Sequence, residues 1–491
     1  MATAIRSSQT TRAAYGVLTL GGIVGIIAAS LPWSGDLATK IAAIASPAAI
    51  LVSSLIALIG LARGGVATLA SPAAMLCLAL GIYFGVGALL PALGNDLLVA
   101  LLQVDYPYTL AETVVADRVT AIGVTSLAGA AWIFLRAFPP ADFVVGGNVD
   151  ADYLRRAAIR LLLVGTAVRF LITIPYALGA QTGFVPNSIA SLEFLAYLGL
   201  IILTYGVARG LLDRTTDRIV LVIFGTVNVV LSVVTLSKLQ FFFAFGSVLA
   251  GFWMGRPRAR VLISIAVVGM LIYPALQQFI SVGRSLTAVS SGASLSERLE
   301  SIPKANSLAS EIYADEEISG RTTARFSYVA ASVFAIRSYD AGLPGKSMSE
   351  NILWYFVPRF IWPAKPEMTA ASKEVSVLML GTDETRTGLG VFAEGYWNGG
   401  YWLTVIGPAL VGIVLALFEF WRPRALATFD IPWMYVFWYG CTEAFAIDGF
   451  FLPQYFGMWP IVIGTFVLLR LAFGAPRQAG SAAPIAATAP A

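Results

Sequence analysis

Gly388-Leu-Gly-Val-Phe-Ala-Glu394-Gly-Tyr-Trp-Asn398-Gly-Gly-Tyr-Trp402 is where a polar stretch of this chain turns back into apolar sequence. Beyond it, Leu403–Trp421 is interrupted by a single charge, Glu419, and reads as a membrane-spanning helix. Before it, from Val282 to Tyr401, no segment is a normal bilayer span. This insert holds Arg284, Arg298, Lys304, Arg321, Arg325, Arg337, Lys346, Arg359, Lys365, Lys373 and Arg386, interleaved with carboxylates and an aromatic set around Trp354–Trp362. The expected organisation is a platform of lipid-embedded helices with the insert carrying the chemistry.

Composition agrees with that division. The 491 residues are 58% hydrophobic and 12% charged, against roughly 25% charged in soluble domains, and the mean hydropathy is +0.78. Many apolar runs reach about 18–22 residues, enough to cross about 30 Å of hydrocarbon. The short alternating segments of a transmembrane barrel are absent. The fold class expected is an all-α polytopic membrane protein of about twelve helices. Spans are predicted near 14–32, 41–62, 71–94, 119–136, 158–180, 189–209, 219–237, 241–254, 261–282, 402–421, 431–450 and 457–474, with 283–401 as the long loop. The 241–254 segment is short and must borrow neighbours or tilt little. Gly474–Ala491 is rich in Ala, Pro and Gly and reads as a disordered tail.

Loop charges set the orientation. Arg6, Arg12, Arg63, Arg136, Arg155, Arg156, Arg160, Arg209, Arg214, Arg218, Arg256, Arg258, Arg260, Arg422, Arg424, Arg470 and Arg477 fall at alternate connections, while the opposite ones carry only Lys40, Arg118 and Lys238. The positive-inside rule then places both termini in the cytoplasm and the insert outside. The first helix is expected to be retained, since the apolar run is followed by no convincing cleavage site. The other sizeable external connection, Asn95–Arg118, reads as a solvated loop, with packing beside the insert as the alternative.

Several chemistries are excluded. Histidine is absent, which removes histidine bases, Ser-His triads and His-ligated metal or haem. Cys77 and Cys441 lie in apolar runs and read as buried thiols. A formal charge of +4, with the cations at helix ends, gives no reason to expect nucleic acid as a partner.

Within the insert, Asp315-Glu316-Glu317 ends a polar stretch and reads as a solvated face. Gly320–Tyr339 reads as one helix with Arg321 and Arg325 on one side near its start, and with Val329, Val333 and Phe334 buried. Two guanidiniums four residues apart repel modestly, and an anion between them would reverse the sign. Ser347 and Glu350 form a capping box ahead of an interfacial helix bearing Trp354, Tyr355, Phe356, Phe360 and Trp362. Pro358, Pro363 and Pro366 then stiffen a passage with Arg359 and Lys365. Glu394, at the outer membrane surface, is placed where a general base would be useful. Arg169 lies mid-span at a cost of roughly 2.5–3.5 kcal/mol, so it must have a partner. Glu193, Glu443 and Asp448 are the candidates, and Lys238 is a second cation for the same cavity.

The motifs Pro358-Arg-Phe-Ile-Trp-Pro-Ala-Lys-Pro366 and Phe392-Ala-Glu-Gly-Tyr-Trp-Asn-Gly-Gly400 stand on a chain of about a dozen helices with one long, late external loop. This layout resembles the bacterial Wzy-type polymerases, which extend O-antigen or exopolysaccharide from lipid-linked repeat units. The resemblance implies an oligosaccharide on undecaprenyl pyrophosphate as substrate, used at the periplasmic face of the inner membrane with no metal or nucleotide cofactor. It implies Arg321, Arg325, Arg359 and Arg169, with Lys238, as the pyrophosphate clamp, since guanidiniums bind phosphates bidentately. Glu394 is the first choice for the base and Asp383 the second, while Trp354, Tyr355, Trp362, Tyr396 and Trp397 would contact lipid or sugar. A chain-length regulator and a flippase are the partners implied. Related O-antigen ligases share the layout but often use an external histidine, which this chain lacks. A flippase-type transporter is the rival from another class.

Overall fold

The computed structural model describes residues 4–474 apart from 6, 33, 105, 147–148, 178–186, 288–299, 302–303, 305–319, 321–322, 346–356, 358–360, 363–369 and 382–387. The architecture is helical, with one two-stranded antiparallel contact between Ala4–Ile5 and Phe143–Val144. In chain order the main helices are α1 (Ser7–Ser30), α2 (Asp36–Arg63), α3 (Pro72–Leu93), α4 (Leu110–Ala137), α5 (Ala151–Val168), α6 (Phe194–Arg209) and α7 (Thr215–Val234). They continue with α8 (Lys238–Gly255), α9 (Ala259–Thr287), α10 (Val329–Asp340), α11 (Val391–Thr428), α12 (Ile431–Phe445) and α13 (Trp459–Phe473). Among the described residues, eight helices are long and apolar enough to cross a bilayer, and α8 and part of α9 are shorter apolar helices. The chain is an all-α membrane protein.

Local chemistry moves several boundaries from their expected places. Thr109 and Glu112 form a capping box, with the Glu112 N–H donating to Thr109 Oγ1 (3.3 Å) and the Thr109 N–H donating to Glu112 Oε2 (2.7 Å). Helix α4 therefore starts at Leu110, a full two turns before its apolar run. Helix α11 starts inside the insert at Val391 and breaks at Gly399–Gly400 before entering its apolar length. Gly400 has φ +59°, a conformation that L side chains rarely adopt, and a Cβ there would lie 3.0 Å from the Tyr339 ring. Three helices carry π-helical turns: Leu80–Val86 within α3, Arg169–Thr173 after α5, and Leu452–Phe456 ahead of α13.

Two bodies of packing share α12 as a wall. One gathers α1, α2, α3, α4 and α11 around Leu18, Ile50, Leu76, Leu127, Leu415 and Phe418. The other gathers α5, α6, α7 and α8 around Leu161, Leu162, Leu198, Ile202 and Ala244. Val436 and Ala444 of α12 face the first core, while Met434, Tyr435 and Phe437 face the second. Small residues permit the closest approaches, as expected where lipid supplies no hydrophobic drive between helices. At Gly412 of α11 an added Cβ would sit 2.0 Å from the Leu127 carbonyl oxygen of α4.

The insert departs from expectation in two ways. Gly320–Tyr339 is not one helix across its described residues: Arg325 and Phe326 form a turn, Ser327 and Tyr328 are non-helical, and α10 begins at Val329. Val329, Val333 and Phe334 are buried as expected, because α10 packs on α11 and α4. The Asn95–Arg118 connection is not a solvated loop either. It contains the helix Asp96–Gln103, and Glu112 at the start of α4 pairs with Arg337 of α10 at 2.7 Å. The carboxylate holds the Arg337 guanidinium's titration above its ordinary range. Tyr106 meanwhile stacks edge-on to Phe334.

Candidate functional site

The chain comes closest to a built site at the end of the helices where the insert lies. The segment Thr323–Tyr328 crosses the π-helical part of α3, close enough that a Cβ on Gly87 would meet the Phe326 carbonyl oxygen at 2.0 Å. This crossing delivers Tyr328 to the turn between α12 and α13, where its hydroxyl donates a short hydrogen bond to Asp448 Oδ2. Burial and the Asp448 carboxylate hold the Tyr328 hydroxyl well above the usual phenol range, so it remains a donor. Tyr83 of α3 packs edge-on to the Tyr328 ring, with centroids 5.5 Å apart, and to Phe445 at 5.9 Å. Phe84 flanks Tyr328 on another side at 6.2 Å.

Tyr273 of α9 packs at a tilt against Phe326, with centroids 5.8 Å apart, and against Phe242 of α8 at the same separation. Arg325, exposed, lies beside Tyr273 on the turn that leads to Tyr328. Asp448, Tyr328, Tyr83 and Tyr273 are all half-buried, so this cluster, hereafter the recess, is partly exposed and not a sealed core. Glu443 stands five residues before Asp448 and lies beside Gln454 and Tyr439. Among the described residues, the arrangement offers Arg325 as a cation beside Tyr273, Asp448 as a hydrogen-bonded carboxylate, and several aromatic faces. It can bind an anion at one edge, stack a ring on its walls and move a proton at the carboxylate.

The sequence candidates fare unevenly against this geometry. Arg325 lies at the recess. Arg321, Arg359, Asp383, Trp354 and Tyr355, together with Ser347, Glu350 and the Asp315-Glu316-Glu317 cluster, lie outside the described residues, as does the Lys238 side chain. Trp362 is exposed. Glu394 is 0% exposed and accepts a hydrogen bond from the Phe451 N–H, so it caps the start of the last helical segment instead of facing solvent. Trp397 is also fully buried, with its indole N–H on the Leu343 carbonyl (3.2 Å). Tyr396, 6% exposed, donates to Asp340 (3.2 Å) and packs between Tyr339 and Tyr401. These two aromatics hold α10 to α11 and do not present a surface to sugar or lipid.

Arg169 is placed differently from a ligand clamp. It is 0% exposed and donates to the Asn228 carbonyl (3.1 Å), Asn228 Oδ1 (3.0 Å), Ser232 Oγ (2.8 Å) and Gln240 Oε1 (3.0 Å). The Tyr197 ring lies under it at 5.7 Å. Of the three carboxylates expected nearby, Glu193 is the neighbour, reached through Gln240 at 3.5 Å. Asp448, expected only as a partner for Arg169, instead belongs to the recess. Its signal in the sequence was a carboxylate at the very end of an apolar run, a place where ionisable groups are costly unless used. Nothing marked Tyr328, Tyr83 and Tyr273 as its neighbours, since they come from three separated segments. Comparison with protein-family models, with curated proteins and with solved structures finds no match for the chain.

Proposed function

We propose that this chain is a membrane glycosyltransferase that polymerises undecaprenyl-pyrophosphate-linked oligosaccharide repeat units at the periplasmic face of the bacterial inner membrane. Twelve helices cross the bilayer in this reading, with both termini cytoplasmic and the insert outside. The observation that carries it is the recess itself: an exposed guanidinium beside Tyr273, at the edge of a tyrosine cluster that hydrogen-bonds a carboxylate, at the end of the bundle where the insert lies. Glycosyl transfer from a lipid pyrophosphate needs a cation for the leaving group and a base for the acceptor hydroxyl. Arg325 serves the first need, together with Arg321 and Arg359 of the same insert, and no metal is required. Arg169 is left out of the clamp because it is fully buried and both its terminal nitrogens already donate to protein acceptors.

The test is to reconstitute purified protein in liposomes with lipid-linked repeat units extracted from the source organism. Lengthening of the saccharide in the absence of any other acceptor is expected. Passage of intact substrate across the liposome without lengthening would make the protein a transporter. Transfer only when lipid A is supplied would make it a ligase. Arg325→Ala should cut elongation by roughly 10²-fold or more, and Arg325→Lys should also be impaired, because a single ammonium cannot make a bidentate contact.

A further inference from the structure

We propose that Asp448, oriented by Tyr328, is the base that removes the acceptor proton, an inference that rests on the polymerase reading above. Among the described residues, α11, α12 and the turn after α12 bring three carboxylates to this end of the helices: Glu394, Glu443 and Asp448. Glu394 is sealed in the core as a helix cap, with no exposed surface. Glu443 is set back along α12 between Gln454 and Tyr439. Asp448 alone of the three combines partial exposure, a turn position outside the helices and a donor fixed on one oxygen. Tyr328 occupies Oδ2 and fixes the carboxylate next to Tyr83, which leaves Oδ1 to take the acceptor proton in this scheme. The groups facing Asp448 from neighbouring elements are Tyr328, Tyr83 of α3 and Tyr455 ahead of α13, with Glu443 on its own segment.

The step balances without any further reactant. The acceptor hydroxyl gives its proton to Asp448 Oδ1 and its oxygen bonds to the anomeric carbon of the donor. The bond from that carbon to the phosphate oxygen breaks, and the electron pair leaves with undecaprenyl pyrophosphate, whose charge Arg325 meets. Asp448 is the catalytic residue in this scheme. Tyr328 is a positioning residue, because it acts through the carboxylate and not on the sugar. Its hydrogen bond favours the ionised carboxylate, so removing it shifts the acid limb of the rate profile to higher pH.

Two measurements test this. In the first, the folded wild-type protein is treated with a water-soluble carbodiimide and glycine ethyl ester, and the modified carboxylates are mapped by mass spectrometry. Asp448 should be modified and Glu394 spared, with Asp448 protected by the lipid-linked oligosaccharide. Absence of modification, or modification without protection, overturns the assignment whether or not the protein elongates anything. In the second, Asp448→Asn should lower elongation by about 10²-fold or more, and Asp448→Glu should recover part of it, which separates chemistry from folding. Tyr328→Phe should retain most of the plateau rate while its acid limb moves up by about one pH unit. An unchanged pH profile removes the role of Tyr328, and wild-type rates from Asp448→Asn remove that of Asp448. If wild-type protein fails to elongate while Asp448 is modified and protected, the polymerase reading falls and a saccharide-binding carboxylate stands.

Discussion

Arg169 shows what one residue in the bilayer interior demands. A guanidinium there is tolerable only when protein groups replace water around it, and four acceptor contacts from α7 and α8 serve its two terminal nitrogens. Truncating it strands Asn228, Ser232 and Gln240 without their donor and leaves Glu193 without its neighbouring charge. Arg169→Ala is therefore expected to cost about 3–5 kcal/mol, read as a lower thermal midpoint of the detergent-purified protein. Intact stability with lost elongation would instead make Arg169 a ligand contact. The need for a partner was legible from the position of Arg169 in an apolar run. The identity of the partner was hidden because carboxylates were sought, whereas neutral amide and hydroxyl groups answer. Asn228 and Ser232 are four apart on one helix, a polar stripe on an apolar face, and that spacing was the available clue.

At the scale of elements, two ion pairs, one between helices and one within a helix, differ in worth because they differ in burial. Arg337 and Glu112 tie α10 to α4, yet their side chains remain 40% and 30% exposed, so the pair contributes about 0–1 kcal/mol. Glu419 and Arg422 of α11 are 0% and 1% exposed, 3.0 Å apart, and Glu419 also accepts the Ala73 N–H (2.7 Å) in the first turn of α3. That carboxylate meets the positive end of α3 as well as the guanidinium, so one side chain joins two helices. Glu419→Gln should destabilise by roughly 3–5 kcal/mol by leaving Arg422 buried without its counter-charge. Glu419→Gln combined with Arg422→Met should lose less than the single change, a coupling that a double-mutant cycle of thermal midpoints would read. Arg422 had been counted only as a loop cation in the orientation argument. Helix existence was legible from apolar run length, whereas the burial of a charge at a helix end depends on what packs over it. The same reason hid the extension of α4, although Thr109-Leu-Ala-Glu112 spells a capping box in the sequence.

For the molecule as a whole, the deciding question is which side of the bilayer the insert occupies. Run lengths made the all-helical membrane class readable. The recess was not readable, because it is assembled from α3, α9, the Thr323–Tyr328 segment and the α12–α13 turn, and no periodicity links those pieces. If chemistry uses a lipid pyrophosphate on the outer leaflet, the Tyr328–Asp448 recess must open outward. Both native thiols are buried, so replacing Cys77 and Cys441 with Ala leaves a background free of cysteine on which single cysteines can be placed. Ala341, exposed just beyond α10, reports on the insert, and Thr215, exposed at the start of α7, reports on the arginine-rich end. A membrane-impermeant maleimide applied to cells with a permeabilised outer membrane is expected to label Ala341→Cys and to label Thr215→Cys only after lysis. The reverse pattern would put Asp448 and Arg325 on the cytoplasmic side, away from outer-leaflet substrate, and no outcome of the kinetic experiments could then rescue the polymerase reading.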